Sequence, residues 1–281
     1  MKNDIPLISI GFDGYNLEDT LEGLSKTDSK NISLCAIDGF TKHVIPEEMN
    51  KDEWENAKVL FKKYNLNFYG LAGHFNISDD NDLVKMARRM EFIGFMNGKY
   101  LDTNAGPKGE ERNFYKNLNK VIELAEKLDI LVCLETHGDL LESGKYTHEL
   151  FKNIKSPKIK IGYDPANIYF YSRGNLNPAE DIKYVLDDIG IIHFKGVSHN
   201  EDKTKWNFPE IINSSYNFDK FFGVLEDYKY DRMIAIEVEG KFHFEENKGF
   251  TIESIWPKEK IIDIYNGEIQ YLKKKLYWMD K

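Results

Sequence analysis

Cysteine is nearly absent from this chain. Cys35 and Cys133 are the only two in 281 residues. Both lie in apolar runs and read as small core residues, so no disulfide framework is expected and a reducing compartment fits. Positive charge is also short. Lysine and arginine total 38 against 47 aspartates and glutamates, a net charge of −9 at pH 7. Broad, salt-driven binding to nucleic-acid phosphates needs clustered positive charge, so nucleic acid is not the expected partner. No stretch approaches the roughly 18 apolar residues that span a bilayer, and no membrane partner is expected. The opening segment MKNDIPLISIGFDG carries an apolar run of strand length only. It lacks the longer apolar region and small-residue cleavage site of a secretory leader. A soluble cytoplasmic protein is expected. There is no Pro/Ser-rich linker, no low-complexity tract, and no Gly-x-Gly-x-x-Gly after the first apolar run, which argues against a dinucleotide-binding fold.

What is present is ample core material. The 41% hydrophobic and 14% aromatic content excludes a disordered chain. Short, β-rich apolar runs recur at Leu7–Ile10, Ile32–Ile37, Phe68–Leu71, Lys99–Leu101, Ile130–Leu134, Ile159–Tyr163, Ile191–Phe194 and Met233–Val238. Near-continuous apolar runs suit strands buried on both faces, as in parallel sheets. Between them lie segments with helical spacing: Asp19–Lys26, Glu47–Tyr64, Asp80–Phe95, Asn113–Leu128, Thr147–Ile154, Pro178–Leu186, Phe218–Tyr228 and Lys258–Met279. Strand–helix alternation repeated eight times within about 250 residues predicts an α/β fold, a closed (β/α)8 TIM barrel forming a single domain over residues 1–281. Ser198–Asn217 and Gly240–Trp256 are expected to be long loops without regular structure, at the face where barrel enzymes carry their sites.

That face collects the C-terminal ends of the strands. The fifth run ends Cys133-Leu134-Glu135-Thr136-His137, the sixth Ile161-Gly162-Tyr163-Asp164-Pro165, the seventh reads Ile191-Ile192-His193-Phe194-Lys195, and the eighth Ile234-Ala235-Ile236-Glu237-Val238-Glu239. Each apolar run stops at an ionisable group: Glu135, Asp164, His193 or Glu237. A single glutamate at a strand end is commonly just solvated or ion-paired. Four such groups on adjacent strands converge if the barrel closes, and three crowded carboxylates repel one another. A divalent cation resolves that repulsion. The oxygen-rich, one-histidine set suits Mn²⁺, Mg²⁺, Co²⁺ or Zn²⁺.

Those motifs carry a resemblance. Val132-Cys133-Leu134-Glu135-Thr136-His137-Gly138, Gly162-Tyr163-Asp164-Pro165-Ala166-Asn167, His193-Phe194-Lys195 and Ile236-Glu237 resemble the xylose-isomerase-like TIM-barrel superfamily of sugar-phosphate isomerases and epimerases, over nearly the whole chain. The resemblance implies one divalent metal held by Glu135, Asp164, His193 and Glu237, with Glu239, of the same strand parity, competing with Glu237. It implies a small-molecule sugar or sugar phosphate as substrate and, as in many members, association into homo-oligomers. It also implies that Glu135 and Glu237 move a proton on opposite substrate faces through a metal-stabilised enediolate. Lys195 would stabilise an enediolate or bind a substrate carboxylate or phosphate, or else pair with a site carboxylate. His74, Asn104, His137 and Asn167 complete the expected substrate contacts. Two departures stand out. Asn167 occupies a position where many members have histidine, and the loop after the seventh strand reads Phe208-Pro209-Glu210-Ile211-Ile212 rather than a glycine-rich turn. The further histidines of the endonuclease branch are missing. Dehydration of a cyclitol or keto-sugar, and a non-catalytic sugar-binding barrel, are the alternatives. Phe12, Tyr15, Phe40, Phe75, Trp206 and Trp256 are aromatic candidates for a sugar-stacking wall, although packing is the commoner role for any one of them.

Overall fold

The computed structural model describes residues 5–280. Its parallel strands are β1 (Leu7–Ile8), β2 (Asn31–Cys35), β3 (Asn67–Asn76), β4 (Tyr100–Asn104), β5 (Leu131–Glu135), β6 (Ile159–Tyr163) and β7 (Ile189–Phe194). After β7 come two short strands, β8 (Ser198–His199) and β9 (Lys205–Asn207), then β10 (Met233–Glu237), β11 (Phe242–Glu245) and β12 (Gly249–Ile252). Strands β1 to β7 and β10 close into an eight-stranded barrel in which β10 pairs with both β7 and β1. The chain is therefore a closed parallel barrel with helices between its strands, as the alternating pattern predicts.

The helices are α1 (Leu17–Leu24), α2 (Lys51–Lys63), α3 (Asp80–Phe95), α4 (Glu111–Leu128), α5 (Gly144–Phe151), α6 (Pro165–Tyr171), α7 (Pro178–Asp181), α8 (Asp219–Tyr228) and α9 (Lys258–Lys275). Local chemistry sets their ends. Asn50 caps α2 through Asp52 and Glu53 backbone N–H groups, while the Glu53 side chain accepts from the Asn50 N–H, a reciprocal capping box. Helix α4 stops at Asp129, whose φ of 56° leaves the helical region. Apolar faces such as Phe114, Leu118, Val121 and Ala125 of α4 pack on the barrel's outer surface.

Successive strand residues point alternately into and out of the barrel, so one parity fills the interior. The lower interior is small and apolar: Cys35, Ala72, Cys133, Ile191 and Ala235 form one cluster with Tyr100. Two residues further along, the same parity gives Ile37 on the segment after β2 but His74, Asp102, Glu135, His193 and Glu237 on the other five. Polar groups thus begin one layer above the apolar plug.

The segments expected to be irregular are not. Strands β8, β9, β11 and β12 form an antiparallel sheet that joins the chain after β7 to the chain after β10. The physical reason is shared burial. Trp206 of β9, and Phe208 just after it, pack with Phe170, Phe242 and Phe244 into the aromatic end of the interior cluster. Ladder pairing then satisfies the backbone that this burial would otherwise orphan. Helix α6 was also not expected. Asp164 caps it, accepting from the Ala166 and Asn167 N–H groups, and Pro165 supplies the first helical position.

Candidate active site at the C-terminal mouth of the barrel

A cavity of about 240 Å³ opens at the C-terminal ends of the strands. Each sequence-predicted site residue except Asp164 and His193 lines it: His74, Asn104, Glu135, His137, Asn167, Lys195 and Glu237. Asp164 and His193 lie beneath, both almost fully buried. Glu135, Asp164, His193 and Glu237 each offer one ligand atom, all within 4.8 Å of one another. His74, Glu135 and His137 make a second such group sharing Glu135.

Strand ends position these groups. Glu135 closes β5 and Glu237 closes β10. Gly162 of β6 lets two acids approach: a Cβ there would lie 2.7 Å from Asp102 Oδ1 and 3.4 Å from the Glu135 Cα. On β3 the register with β4 shifts between Ala72 and Asn76, and within that irregularity His74 reaches the mouth.

Glu135 is held from three sides. Its Oε1 accepts from Asn167 Nδ2 at 3.2 Å and lies 3.3 Å from His193 Nδ1. Its Oε2 lies 3.0 Å from His74 Nε2 without hydrogen-bond geometry. Burial alone would raise the Glu135 carboxyl, but the His74 and His193 imidazoles hold it well below the usual carboxylate range. Conversely, His193 is lifted to about 9 against its burial, by Asp102 and Glu135. His74 is raised well above the ordinary histidine value, against burial, by Glu135 and Asp102. Burial pushes Asp164 up to about 6, Lys195 opposing and the other carboxylates adding to it.

Lys195 is the positive centre on the other side. Its Nζ lies 3.0 Å from Glu237, 3.1 Å from Glu239 and 3.3 Å from Asp164. Lys195 thus makes the carboxylate pairing open to it from sequence, with three partners at once. Glu239 projects beyond the end of β10, and burial raises it to about 8.

The donor set fits a dication. Glu135 Oε2, Asp164 Oδ2 and His193 Nε2 are buried without a hydrogen bond, the first two lying only in ion-pair contact with His74 Nε2 at 3.0 Å and Lys195 Nζ at 3.3 Å, and all three residues belong to the converging group. Buried polar atoms are usually hydrogen-bonded, so these three on neighbouring strands call for an explanation. Opposite ligands of an ion bonded at about 2.1 Å lie about 4.2 Å apart, within the 4.8 Å that bounds this group. Asp164 shows the division of labour within one carboxylate. Oδ1 caps α6 at 2.7 and 2.9 Å from two N–H groups, and Oδ2, 3.3 Å from Lys195 Nζ, accepts no hydrogen bond.

Several site residues were not singled out from sequence. Asp102 is fully buried, 3.2 Å from His74 Nε2, with Oδ1 unpartnered. It shares parity with Asn104, which is the signal that could have found it. Tyr171, at the end of α6, lines the cavity with its hydroxyl 3.2 Å from His137 Nδ1. Of the aromatic candidates, Phe40 lines the cavity. Phe12, Phe75 and Trp206 are core residues, and Tyr15 is packed against the core. Trp256 lines a separate, adjoining hollow. Phe170, Phe208, Phe242 and Phe250 supply the rest of the aromatic wall. His43, His148, His199 and His243 stand outside the cavity lining.

With this geometry in place, the comparisons bear on class. The model of the xylose isomerase-like TIM barrel family matches residues 37–259, and the chain belongs to that family. No curated protein sequence matches it. Solved structures share the fold at low identity. A D-tagatose 3-epimerase-like protein superposes with a TM-score of 0.70 at 15% identity, covering 99% of this chain and 98% of that one. The D-psicose 3-epimerase of Clostridium cellulolyticum H10, solved with D-tagatose, gives 0.70 at 11% identity, with 97% and 99% covered. The probable 3-DHS dehydratase AsbF of Bacillus anthracis gives 0.69 at 17% identity, with 96% and 98% covered. Among the described residues no helix is long and apolar enough to cross a membrane.

Proposed function

We propose that this chain is a divalent-metal-dependent isomerase or epimerase of a small sugar, working by proton transfer next to a carbonyl. One observation carries the reading. Three buried donor atoms without hydrogen bonds, on Glu135, Asp164 and His193, converge with Glu237 on the floor of a cavity lined by polar and aromatic side chains. Glu135, Asp164, His193 and Glu237 would hold one Mn²⁺, Mg²⁺, Co²⁺ or Zn²⁺ ion. When bound, the dication supplies positive charge opposite the oxygens on which negative charge develops.

The protein's own groups do the rest. Glu135 and Glu237 end β5 and β10, with β6 and β7 between them in the barrel. One, as a carboxylate, takes the proton from the carbon beside the carbonyl, and the other, as the carboxylic acid, delivers a proton to the opposite face of the substrate. Lys195 Nζ, 3.0 Å from Glu237, keeps charge balanced there and stabilises negative charge that develops beside it. Asn104, whose Oδ1 is unpartnered, is placed to accept from a sugar hydroxyl, and His74, His137 and Asn167 line the same space. The two buried free thiols fit the reducing conditions of the cytoplasm.

The test is NMR in D₂O with Mn²⁺-loaded protein and a panel of ketoses. Deuterium entering the carbon next to the carbonyl, without loss of water, is the expected result. Loss of water instead would assign a dehydratase, and no exchange with any ketose would overturn the proposal.

A further inference from the structure

Whether the sugar carries a phosphate follows from which charges surround the cavity. Lys195 is the only lysine or arginine among the described residues that line it. Its ammonium is already within 3.0–3.3 Å of three carboxylates, on Asp164, Glu237 and Glu239. His74 is engaged by Asp102 and Glu135, and His137 by Tyr171. The remaining ionisable lining groups, Asp38, Glu135, Glu237 and Glu239, are all acidic.

The usual anion-binding devices of this fold are used otherwise. Barrels that take phosphorylated substrates commonly bind the phosphate with the loops after the seventh and eighth strands and a helix N-terminus. Here those two loops are tied into the antiparallel sheet, and they present Phe208, Phe242 and Phe250 to the cavity. The N-terminus of α6, at the end of β6, is filled by the Asp164 carboxylate.

What faces the acidic floor is an arc of rings. Phe40 lies 5.6 Å from Phe242 and 5.7 Å from Phe250, and Phe170 lies 5.5 Å from Phe208 and 5.8 Å from Phe250. Phe40 and Phe250 are each 40% exposed and stand at the rim. A phosphate or carboxylate pressed on this wall would lose water and meet no uncommitted cation of the lining, a large penalty. The cations nearest it are already paired, Lys42 and Lys85 with Asp38 and Arg173 with Glu246. The C–H faces of an uncharged polyol lose little there and gain contact area. The cavity, about 240 Å³, lies just below the roughly 300–1,000 Å³ of ordinary ligand sites, which suits one monosaccharide unit.

We infer that the substrate is an uncharged, monosaccharide-sized ketose or polyol, without phosphate or carboxylate, and that Phe40 and Phe250 set this specificity. This rests on the isomerase reading of the site and adds the substrate class to it.

The experiment compares matched pairs on the Mn²⁺-loaded protein: each ketohexose with its 6-phosphate and each ketopentose with its 5-phosphate, read as kcat/KM for deuterium exchange. The free sugar of the preferred pair is expected to exceed its phosphate by at least about tenfold, or about 1.4 kcal/mol. Phe250→Arg, which puts a guanidinium at the rim, should narrow that ratio by about tenfold or more. Phe40→Arg does the same from the segment after β2, beside the Phe250 ring, and serves if the first variant fails to fold. A phosphate turned over as well as or better than its free sugar overturns this inference and leaves the isomerase reading standing. Exchange with neither member of any pair overturns the isomerase reading, and the inference with it.

Discussion

Asn167 Nδ2 donates to Glu135 Oε1 at 3.2 Å, from the first turn of α6 to the end of β5. With His193 Nδ1 at the same oxygen, this bond fixes the carboxylate by Oε1, while Oε2 meets only His74 Nε2, at 3.0 Å and without a hydrogen bond. A residue that orients a metal-binding carboxylate typically controls about 10–100-fold in activity or metal affinity. Asn167→Ala should therefore lower kcat or Mn²⁺ affinity by that factor while the melting temperature of metal-free protein stays within a degree or two. Asn167→His, which can also donate to Glu135, should recover most of the loss. Wild-type kcat and Mn²⁺ affinity in the alanine variant would remove Asn167 from the site's architecture.

Glu135→Gln and Glu237→Gln each replace a carboxylate with an amide of the same shape. Loss of a positioned proton-transfer group costs about 10²–10⁴-fold, and loss of a ligand adds to it. Turnover should fall at least that far, with an unchanged circular dichroism spectrum. Near-wild-type turnover in either variant overturns its assignment.

An ion bound only by the folded chain stabilises it by mass action, about 2.7 kcal/mol at a hundred times its dissociation constant. Adding Mn²⁺ to chelator-stripped protein should raise the melting temperature by several degrees. Asp164→Asn is the sharper control. It keeps an oxygen for the α6 cap at Ala166 and Asn167, so the fold should survive while the Mn²⁺ response disappears. An undiminished response would place the ion elsewhere.

His43 sets a pH dependence away from the proposed ligands. Its Nδ1 lies 2.7 Å from Ser9 Oγ and its Nε2 3.2 Å from the Phe12 carbonyl. Ser9 Oγ in turn accepts from the Cys35 N–H, so the set is satisfied by a neutral ring that donates from Nε2. Burial pushes this imidazole down from 6.5 to about 4. The unfolded chain therefore binds the extra proton first as pH falls, and the stabilisation present above pH 6.5 is lost between 6.5 and 4. The gap corresponds to roughly 3 kcal/mol. In urea unfolding, the stability difference between wild type and His43→Gln should shift by about that amount across this window. A difference independent of pH would contradict the burial argument.

Arg89 of α3 is fully buried beneath the mouth. It pairs with Glu47 at 2.6 and 3.0 Å, donates to the Ala36 carbonyl, and stacks 3.8 Å from the Phe75 ring centre. Removing one member of a buried ion pair strands the other, typically at about 3–5 kcal/mol. Arg89→Ala should lower unfolding free energy by that amount. Arg89→Lys should recover little, because an ammonium cannot reproduce the forked contact. Full stability in the lysine variant would show that the fork is dispensable.

The barrel was legible because its strands are short, apolar and separated by amphipathic helices. The strand-end acids were legible because each interrupts an apolar run. Asp102 was not, because the fourth run reads as ending at Leu101, whereas β4 continues to Asn104. Arg89 looks like any charged helix residue until the fold supplies Glu47 forty-two positions earlier. The small antiparallel sheet escaped notice because its strands are two to four residues long, too short for alternation to register. Its pairing is decided by ring packing that no local window contains.

That sheet also constrains how the mouth can move. β9 and β11 belong to different connections, yet they share one ladder through Trp206–Phe244 and its neighbours. The two connections consequently behave as a single plate. Neither can swing aside by itself without breaking that seam, so entry and exit of a ligand must lift both together or part the Phe40–Phe250 ring contact.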